Sequence, residues 1–351
     1  MHTASPATGS AGDSILVTGA AGFIGSHVVS ELLARGHRVV ALDDLSGGFH
    51  SNVDERATFV EGSILDVALV DRLFDEHRFA YVFHLAAYAA EGLSHFIRRY
   101  NYQSNLIGSV NLINASVRHE VRCFVFTSSI AVYGHARPPV LEEMAPSPED
   151  PYGIAKAAVE QDLRVSRDLF GMRYVVFRPH NVYGERQNIG DPYRNVVGIF
   201  MNKILQGEPL PIFGDGKQSR AFSYISDVAP VIADSIHRPE AWDQIFNIGA
   251  DRPVTVNELG ETVSRAMGVP FRPHYLPARH EVLHTHASHE KARALLGFED
   301  RVGLEEGVGA MAAWVQQIGA RASKAFGALE IEKGLPPSWR DLLAAADRRV
   351  G

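Results

Sequence analysis

The sequence predicts an α/β fold in which a doubly wound parallel sheet is followed by a smaller C-terminal α/β lobe. Short apolar runs alternate with amphipathic stretches of helical periodicity through the first two-thirds of the 351 residues. From about residue 182 this pattern loosens, and Pro and Gly punctuate shorter segments such as GEPLPIFGDGKQS. Strand–helix alternation of this length is typical of a parallel sheet with helices on both faces.

Six runs rich in Val, Ile and Phe are predicted as buried strands, because each is short and apolar. In chain order they are SILVTGA (14–20), HRVVALDD (37–44), ATFVEGS (57–63), YVFHLAA (81–87), VRCFVFTSS (121–129) and RYVVFRPHN (173–181). Helical spacing is found in FIGSHVVSELLARG, DVALVDRLFDEHR, SNLIGSVNLINASVRHE and GIAKAAVEQDLRVSRDLFG. The last helix is predicted to end at Gly171, since glycine favours the left-handed conformation of a helix C-terminus.

These elements divide the chain into four predicted parts. Residues 1–12 are small and polar and are expected to form a disordered tail, and 13–181 form the sheet domain, to which segments of 222–250 are expected to return. Residues 182–320 form the second lobe, the substrate lobe, with helices such as NELGETVSRAMG among short strands. Residues 321–351 are predicted to be a helical extension that contains the amphipathic piece PPSWRDLLAAADRR.

Composition argues for a soluble globular protein and against nucleic-acid binding as its main role. The formal net charge is −7, 46% of the residues are hydrophobic, and no Lys/Arg-rich block occurs. The single cysteine, Cys123, allows no disulfide within the chain and fits a reducing cytoplasm. No apolar run approaches the ~20 residues of a membrane span, and the N-terminus lacks the apolar core of a signal peptide. A cytoplasmic location without membrane contact is therefore expected.

The stretch TGAAGFIGSH places Gly19, Gly22 and Gly25 directly after the first strand, at the start of the first helix. Glycines there permit a tight turn and a close backbone approach, and the helix N-terminus offers amides to a diphosphate. Asp43 ends the second strand, where a carboxylate accepts hydrogen bonds from an adenosine ribose and repels a 2′-phosphate. The following loop, LSGGFH, supplies no arginine for such a phosphate. The sequence therefore predicts a Rossmann-type site for NAD rather than NADP.

Six motifs in a shared order carry a family resemblance. They are GAAGFIG, HLAA (84–87), TSSIAVYG (127–134), YGIAK (152–156), RPHNVYG (178–184) and GDGKQSRAFSYISDV (214–228). In this order the chain resembles the extended short-chain dehydrogenases/reductases, specifically the NAD-dependent nucleotide-sugar epimerases and dehydratases, over about residues 14–300. Within that family it is most similar to the UDP-glucose and UDP-glucuronate 4-epimerases.

The resemblance implies a set of cofactor contacts. These are Gly19, Gly22, Phe23, Ile24, Gly25, Asp43, Asp44, Ser63, Ile64, Leu85, Ala86, Ala87, Asn105, Tyr152 and Lys156. Asp44 also fits a simple turn residue at a strand end, and Asn105 resembles the asparagine that fixes the loop around the active-site tyrosine. Two positions depart from the family pattern, since Ser63 and Ala221 each stand where an Asp is more usual. Neither position performs chemistry in the expected mechanism.

The resemblance further implies a catalytic set of Ser129, Tyr152 and Lys156. Residues four apart on a helix are neighbours, so the Tyr152–Lys156 spacing by itself also fits a surface pair. A free tyrosine has a pKa of ~10 and is a poor base near neutral pH. The Lys156 ammonium and the positive nicotinamide of NAD⁺ are expected to lower the pKa of Tyr152, which then takes a proton from a sugar hydroxyl. Lys156 is also expected to bind the nicotinamide ribose, and Ser129 to orient the reacting oxygen.

Substrate contacts are implied at Ser129, at Tyr152 and at five residues of the later segments. These five are Asn181 and Arg220 at the diphosphate, Arg279 as a second diphosphate arginine, Glu281 at the uridine ribose, and Arg194 in NIGDPYRN near the cleft. A surface salt bridge is the alternative for the diphosphate arginines. Arg194 is a candidate for recognising a C6 carboxylate, and a surface or diphosphate role fits it equally well.

The two residues after Ser129 favour an epimerase over a 4,6-dehydratase. In those dehydratases an Asp–Glu pair follows the strand-end hydroxyl and assists loss of water across C5–C6, whereas Ile130 and Ala131 cannot transfer protons. The expected reaction is epimerisation of a UDP-hexose at C4, in which a 4-keto intermediate rotates and takes hydride back on its other face. The sugar stays open between UDP-glucose/UDP-galactose and UDP-glucuronate/UDP-galacturonate, and so does the group at C2.

Other functions stay open as alternatives. They are a nucleotide-sugar dehydratase of the 5,6-type, a net sugar-nucleotide dehydrogenase or reductase, and an NAD-sensing scaffold. The scaffold has no need for the full set of Ser129, Tyr152 and Lys156. No metal is expected, although four histidines cluster at His280, His284, His286 and His289. By resemblance a homodimer is expected, through helices near 104–118 and 153–170.

Overall fold

The computed structural model describes residues 12–279, 281–323 and 326–347. The predicted disordered tail, apart from Gly12, and His280 lie outside these ranges. No helix within them is long and apolar enough to cross a membrane.

Fourteen strands occur in the described ranges, and the first six lie in the apolar runs that predict strands. They are β1 (Ser14–Thr18), β2 (Arg38–Asp43), β3 (Thr58–Glu61), β4 (Tyr81–His84), β5 (Cys123–Thr127), β6 (Tyr174–Pro179), β7 (Val182–Tyr183), β8 (Leu210–Phe213), β9 (Ser219–Ala221), β10 (Ser223–Tyr224), β11 (Gln244–Ile248), β12 (Pro253–Thr255), β13 (Pro273–Leu276) and β14 (His284–Thr285).

Helices alternate with these strands. They are α1 (Phe23–Ala34), α2 (Val67–His77), α3 (Glu91–Ser94), α4 (Arg98–Tyr102), α5 (Gly108–Arg118), α6 (Pro151–Phe170), α7 (Val196–Leu205), α8 (Ile225–Asp234), α9 (Val256–Ala266), α10 (Glu290–Leu296), α11 (Leu304–Ile318) and α12 (Pro337–Asp347). Short 3₁₀ turns span His50–Asn52, Ile130–Tyr133, Ser235–His237 and Pro239–Ala241, and a π-helical turn spans Gln103–Ile107.

The central sheet has seven parallel strands in the order β11-β6-β5-β4-β1-β2-β3. The six predicted strands are β1 to β6, so the predicted doubly wound α/β fold is confirmed. Strand β11, from within 222–250, pairs with β6 at the sheet edge. The chain passes outward through β1, β2 and β3 and then returns to β4 on the other side of β1. This reversal opens a crevice at the carboxyl ends of β1 and β4.

Both faces of the sheet are covered because its strands are apolar on both sides. Helices α1 and α8 pack on one face around Val28, Leu32 and Ile232. Helices α2, α5 and α6 pack on the other, around Leu73 and Leu163. The sheet is thus buried as a layer between helices, as expected of all-parallel strands.

Helix α6 carries the two residues that the sequence singled out as a catalytic pair. The Asp150 side chain accepts a hydrogen bond from Gly153 N (2.9 Å) and caps the helix start, and Pro151 occupies its first turn. The helix ends at Gly171 in the left-handed conformation (φ 75°), as predicted.

The second lobe has its own apolar core. The three-stranded sheet β12-β9-β14 and the pair β13-β8 lie against α7, α9 and α11. Their core is formed by buried side chains such as Phe200, Met201, Leu259, Val263 and Met311. The division of the chain at 181/182 and at 320/321 stays a prediction.

The C-terminal segment folds back onto the sheet domain. Leu335 and Trp339 are buried against Ala90, Leu93 and Ile97, in and beside α3. This contact braces the loop and helices that follow β4.

Candidate active site

A cleft of ≈ 530 Å³ opens at the carboxyl ends of the parallel strands and is closed by the second lobe. Its walls come from the β1–α1 turn, the ends of β2, β4 and β5, the start of α6, and segments of the second lobe. Of the implied contact residues, those that line it are Gly19, Gly22, Phe23, Ile24, Gly25, Asp43, Asp44, Ser63, Ile64, Leu85, Ala86, Ala87, Ser129, Tyr152, Lys156, Asn181, Arg194, Arg220, Arg279 and Glu281.

The glycine turn leaves room for a diphosphate at the start of α1. Gly19 has φ 70°, and a Cβ placed on it would lie 2.6 Å from Ala86 N. A Cβ on Gly25 would collide with the Gly19 carbonyl oxygen. Glycine at these positions therefore lets the turn pack against the end of β4, while the first amides of α1 face the cleft. The cradle fits a dinucleotide.

Asp43 connects the end of β2 to this turn. Its carboxylate accepts hydrogen bonds from Ala21 N (2.9 Å) and Leu45 N (2.8 Å). Burial raises the pKa of the Asp43 carboxyl, and the backbone hydrogen bonds oppose that shift. Each carboxylate oxygen retains a further lone pair, so Asp43 fits a ribose contact in the cleft.

Tyr152, Lys156 and Ser129 meet where β5 ends and α6 begins. Tyr152 is 5% exposed and Lys156 is 2% exposed, which excludes the surface-pair interpretation. The Lys156 ammonium donates a hydrogen bond to Thr127 O (2.8 Å) and lies 5.8 Å from the centre of the Tyr152 ring. The Ser129 hydroxyl accepts a hydrogen bond from Ala131 N (3.1 Å) and begins the 3₁₀ turn after β5.

The electrostatics of this cluster differ from the expectation that Lys156 lowers the pKa of Tyr152. Burial, followed by the negative charge of Glu91, raises the pKa of the Tyr152 phenol, whereas a hydrogen bond with Ser129 lowers it. Burial lowers the pKa of the Lys156 ammonium to about 7, opposed by the charge of Glu160. The protein's own groups thus keep the phenol protonated at neutral pH. A positive charge brought into the cleft would lower the pKa of the phenol and favour its phenolate form.

A buried polar network lies behind the cluster of Ser129, Tyr152 and Lys156, and the sequence analysis missed it. Glu160 pairs with Arg178 (Oε2–Nη2 2.5 Å), and each side chain is 2% exposed. Glu160 also accepts from Ser128 Oγ (2.5 Å), and Arg178 donates to the Tyr133 hydroxyl (2.6 Å). The network holds the end of β5, next to Ser129, against α6 and β6.

Asn105 supports the site without lining the cleft, so its implied cofactor contact is not seen. Its side chain accepts from Tyr88 N (2.9 Å) and donates to Tyr88 O (3.2 Å) and Asn101 Oδ1 (2.8 Å). Asn101 in turn donates to Pro151 O (2.9 Å), next to Tyr152. The π-helical turn that contains Asn105 thus connects the loop after β4 to α6, consistent with its implied role in fixing that loop.

Arg220 and Arg279 converge on Glu281 at the second-lobe side of the cleft. Their guanidinium groups lie 3.6 Å and 3.3 Å from its carboxylate. Arg220 also donates to Val282 O and to Leu283 O (2.8 Å). Arg279 lies 4.4 Å from the centre of the Phe213 ring, and its buried Nε has no hydrogen-bond partner among the described residues. These arginines lie together inside the cleft, which suits an anion rather than two surface salt bridges.

Arg194 is already paired, which argues against a role in recognising a C6 carboxylate. Its Nη2 lies 2.6 Å from Asp191 Oδ2, and its guanidinium stacks 4.8 Å from the centre of the Tyr88 ring. It also packs against Gly47 in the loop after β2. Asn181 has φ 43° and donates to Ala221 O (3.1 Å).

The sequence of the chain matches a known protein family. Residues 15–249 match the model of the NAD dependent epimerase/dehydratase family. The chain belongs to this family. UDP-glucose 4-epimerase of Mycolicibacterium smegmatis is 36% identical over 303 residues, which are 84% of this chain and 95% of the relative.

Solved structures of the epimerase family superpose closely. UDP-glucose 4-epimerase of Thermotoga maritima, solved with UDP-glucose, has a TM-score of 0.82 and 38% identity over 87% of this chain and 99% of that one. UDP-glucuronic acid 4-epimerase of Bacillus cereus, solved with UDP-glucuronic acid and NAD, has a TM-score of 0.80 and 28% identity over 87% and 99%. The predicted family, the NAD cofactor and the enzyme class, an NAD-dependent isomerase of the UDP-sugar 4-epimerase type, are confirmed.

The histidine cluster has other contacts in this epimerase-family chain. His289 Nδ1 lies 2.8 Å from Asp251 Oδ1, and His284 Nδ1 lies 2.9 Å from Ser219 Oγ. Within the described ranges no group of three or more His, Cys, Asp or Glu side chains is arranged to hold a metal ion.

A second residue missed by the sequence analysis is Glu91, which begins α3 and lines the cleft. The sequence could have pointed to Glu91, because it is the one charged residue in the stretch YAAEGLS, which directly follows HLAA.

Proposed function

We propose that this protein interconverts the C4 epimers of a UDP-hexose through a 4-keto intermediate. The observation that carries the proposal is the placement of Ser129, Tyr152 and Lys156 in one cleft with the glycine turn and the two clustered arginines. Ile130 and Ala131, which border a side pocket of that cleft, offer no further acid or base at the dehydratase positions.

Each end of the cleft has a distinct task in this proposal. A bound NAD supplies the acceptor and donor of hydride. Tyr152 takes the proton of the C4 hydroxyl and returns it, and Ser129 orients that hydroxyl by hydrogen bonding. Lys156, fixed by Thr127 O, directs its remaining N–H donors towards the cofactor side of the site.

The far end of the cleft holds the substrate while its sugar turns. Arg220 and Arg279 bind the diphosphate with charge-assisted hydrogen bonds, and Glu281 lies at the uridine ribose. With the diphosphate fixed, rotation about the bonds between it and C1 presents the opposite face of the keto sugar. Hydride return to that face inverts C4.

The test incubates the purified protein with UDP-glucose, UDP-galactose, UDP-glucuronate and UDP-N-acetylglucosamine, without added reductant. A product of unchanged mass with inverted C4, identified by NMR, is expected from at least one of them. Loss of water would instead assign a dehydratase, for which the carboxylates of Glu91 and Asp150 are available in the cleft. A requirement for stoichiometric NADH would assign a reductase, and NAD binding without turnover of any substrate would assign a sensor.

We also propose a homodimer through α5 and α6. Large apolar side chains on and beside these helices are exposed, namely Ile107, Ile154, Val165, Leu169 and Phe170. Such a patch favours burial against a second copy. Light scattering after gel filtration should give twice the chain mass, and Leu169→Glu should give a monomer. A monomeric wild-type protein at micromolar concentration would contradict this proposal.

A further inference from the structure

Glu91 lies between the two ends of the proposed substrate site. Its carboxylate is close enough to Arg220 and Arg279 for their charges to lower its pKa, and its own charge raises the pKa of Tyr152. Tyr152 marks the reacting C4, and the arginines mark the diphosphate on C1. The hexose of a bound UDP-sugar therefore lies beside Glu91.

Glu91 lines the cleft, and its carboxylate has no hydrogen bond or ion pair with any described residue. The two nearby carboxylates do have partners. Asp150 accepts a hydrogen bond from Gly153 N (2.9 Å), and Glu281 pairs with Arg220 and Arg279. Glu91 is instead exposed to the space of the cleft. A carboxylate in the cleft with no donor from the protein is free to accept hydrogen bonds from a ligand, so this position suits a ligand that brings donors.

A side pocket adjoins Glu91 and is sized for a sugar substituent. Its volume is ≈ 40 Å³, and Glu91, Asn181 and Arg220 line both this pocket and the main cleft. Ile130 and Ala131 form part of its far wall. Since one water needs about 10–15 Å³ of such volume, the pocket holds a group of roughly two or three heavy atoms. That is the size of the group at C6 of a hexose, whether it is a hydroxymethyl group or a carboxylate.

The helix that carries Glu91 is held in place, which fixes the backbone from which its side chain reaches the cleft. Ser94 Oγ donates to Glu91 O (2.6 Å) and accepts from Tyr152 N (3.3 Å). On the other side Leu93 packs against Trp339, and a Cβ on Gly92 would lie 3.2 Å from the Trp339 ring.

We propose that Glu91 is a specificity-determining residue of the sugar site, which accepts hydrogen bonds from hexose hydroxyls and excludes a hexose that carries a C6 carboxylate. This inference rests on the proposed 4-epimerase function and extends it, because it assigns the substrate class as UDP-hexoses with an uncharged C6 group.

Because the sugar must rotate during the reaction, Glu91 disfavours a UDP-uronate whichever of the two sugar orientations binds first. A half-turn about the axis from C1 to C4 exchanges the ring edge that holds C2 and C3 with the edge that holds C5, to which C6 is attached. A wall group beside the hexose therefore faces C6 in one of the two poses. A uronate would bring a second negative charge against Glu91 in that pose, whereas a hydroxymethyl group brings a donor.

The discrimination against UDP-glucuronate should increase with pH, because only the ionised Glu91 carboxylate repels the C6 carboxylate. Burial and the charge of Asp150 raise the pKa of Glu91 above its usual range, whereas Arg220 and Arg279 lower it. Besides these groups, Glu149 lines both the cleft and the side pocket with Glu91, and Tyr152, Glu281 and His95 line the cleft. A protonated Glu91 donates a hydrogen bond to a uronate, and an ionised one does not. Discrimination should therefore be weaker at about pH 6 than at about pH 8.5.

The experiment measures, by calorimetry on NAD-loaded protein, the Kd values of UDP-glucose and UDP-glucuronate for wild type and Glu91→Gln. Glutamine keeps the size and an acceptor but removes the charge. The ratio of the Kd for UDP-glucuronate to that for UDP-glucose is expected to fall at least tenfold in the variant. Glu91→Asp, which keeps the charge, should retain much of the discrimination, and Glu76→Gln, exposed on α2, is the matched control.

An unchanged ratio in Glu91→Gln, or a wild-type protein that binds UDP-glucuronate more tightly than UDP-glucose, would overturn the inference. Because the readout is binding, it stands apart from the proposed reaction. A protein that discriminates as expected but inverts no C4 centre would refute the epimerase proposal and leave the role of Glu91 supported.

Discussion

Glu160→Gln removes the negative charge of the buried ion pair behind Tyr152, the proposed base. The Glu160 carboxylate accepts hydrogen bonds from Arg178 Nη2 (2.5 Å), Arg178 Nε (3.0 Å) and Ser128 Oγ (2.5 Å). Glutamine keeps the shape of the side chain and one acceptor oxygen. The substitution therefore changes charge and hydrogen bonding with little change in volume.

The expected loss of stability follows from the burial of Arg178. Each partner of the pair is 2% exposed, and a buried charge left without its partner costs about 3–5 kcal/mol. The Tyr133 hydroxyl still accepts a hydrogen bond from Arg178 in the variant. The expected loss of unfolding free energy is therefore at the lower end of that range, about 3 kcal/mol. Since 1 kcal/mol shifts the melting temperature of a large domain by roughly 2–4 °C, Tm should fall by roughly 6–12 °C.

The same variant should shift the pH dependence of turnover. Glu160 raises the pKa of Lys156, so its neutralisation lowers that pKa further. A lysine is charged below its pKa. If turnover needs the ammonium, the decline of kcat with rising pH should begin at lower pH in Glu160→Gln than in wild type.

Urea unfolding at neutral pH, followed by circular dichroism, measures the change in the free energy of unfolding. The exposed Glu76→Gln serves as control and should change it by less than about 0.5 kcal/mol. A loss below about 1 kcal/mol in Glu160→Gln with an unchanged m-value would refute the argument that an uncompensated buried charge dominates.

Three further predictions address the cofactor turn, the base and the C-terminal segment. Gly19→Ala forces a side chain at φ 70° and 2.6 Å from Ala86 N, so NAD binding measured by fluorescence titration should weaken roughly 10- to 100-fold; unchanged binding would contradict the close approach. Tyr152→Phe should lower kcat by roughly 10²–10⁴-fold with NAD affinity nearly unchanged, and the wild-type difference spectrum should show a phenolate signal near neutral pH only after NAD⁺ is added. Trp339→Ala removes an aromatic ring whose centre lies 5.9 Å from Arg279, so it should raise KM for the UDP-sugar more than it lowers kcat. A larger effect on kcat than on KM would show that Trp339 supports the region around Tyr152 instead.

The sheet was predictable from the sequence because its strands are buried on both faces. Each of β1 to β6 reads as a continuous apolar run, and the glycine turn and the C-cap at Gly171 depend on local backbone conformation. Strand β11 gave a weaker signal, since its neighbour β6 lies more than sixty residues away and Asp243 and Asn247 interrupt the apolar pattern.

The electrostatics of the site were not predictable, because they depend on burial and on the side-chain pairs that form in the folded chain. Lys156 and Tyr152 were expected to interact as neighbours on a helix, yet burial and Glu91, sixty-one positions before Tyr152, dominate the pKa of the phenol. Arg194 was a candidate for recognising a C6 carboxylate, but it is paired with Asp191 of the same short loop. Sequence spacing identifies which residues share an element, whereas their charge state depends on burial and on what the fold brings beside them.

The most direct test of the central claim uses UDP-glucose labelled with deuterium at C4 and the NAD-loaded protein, with no added reductant. NMR of the product should show UDP-galactose that retains the deuterium at C4, because the hydride removed from one face of the sugar returns to the other. Conversion with loss of the label to solvent, or no C4 inversion while the folded protein binds both NAD and UDP-glucose, would contradict it.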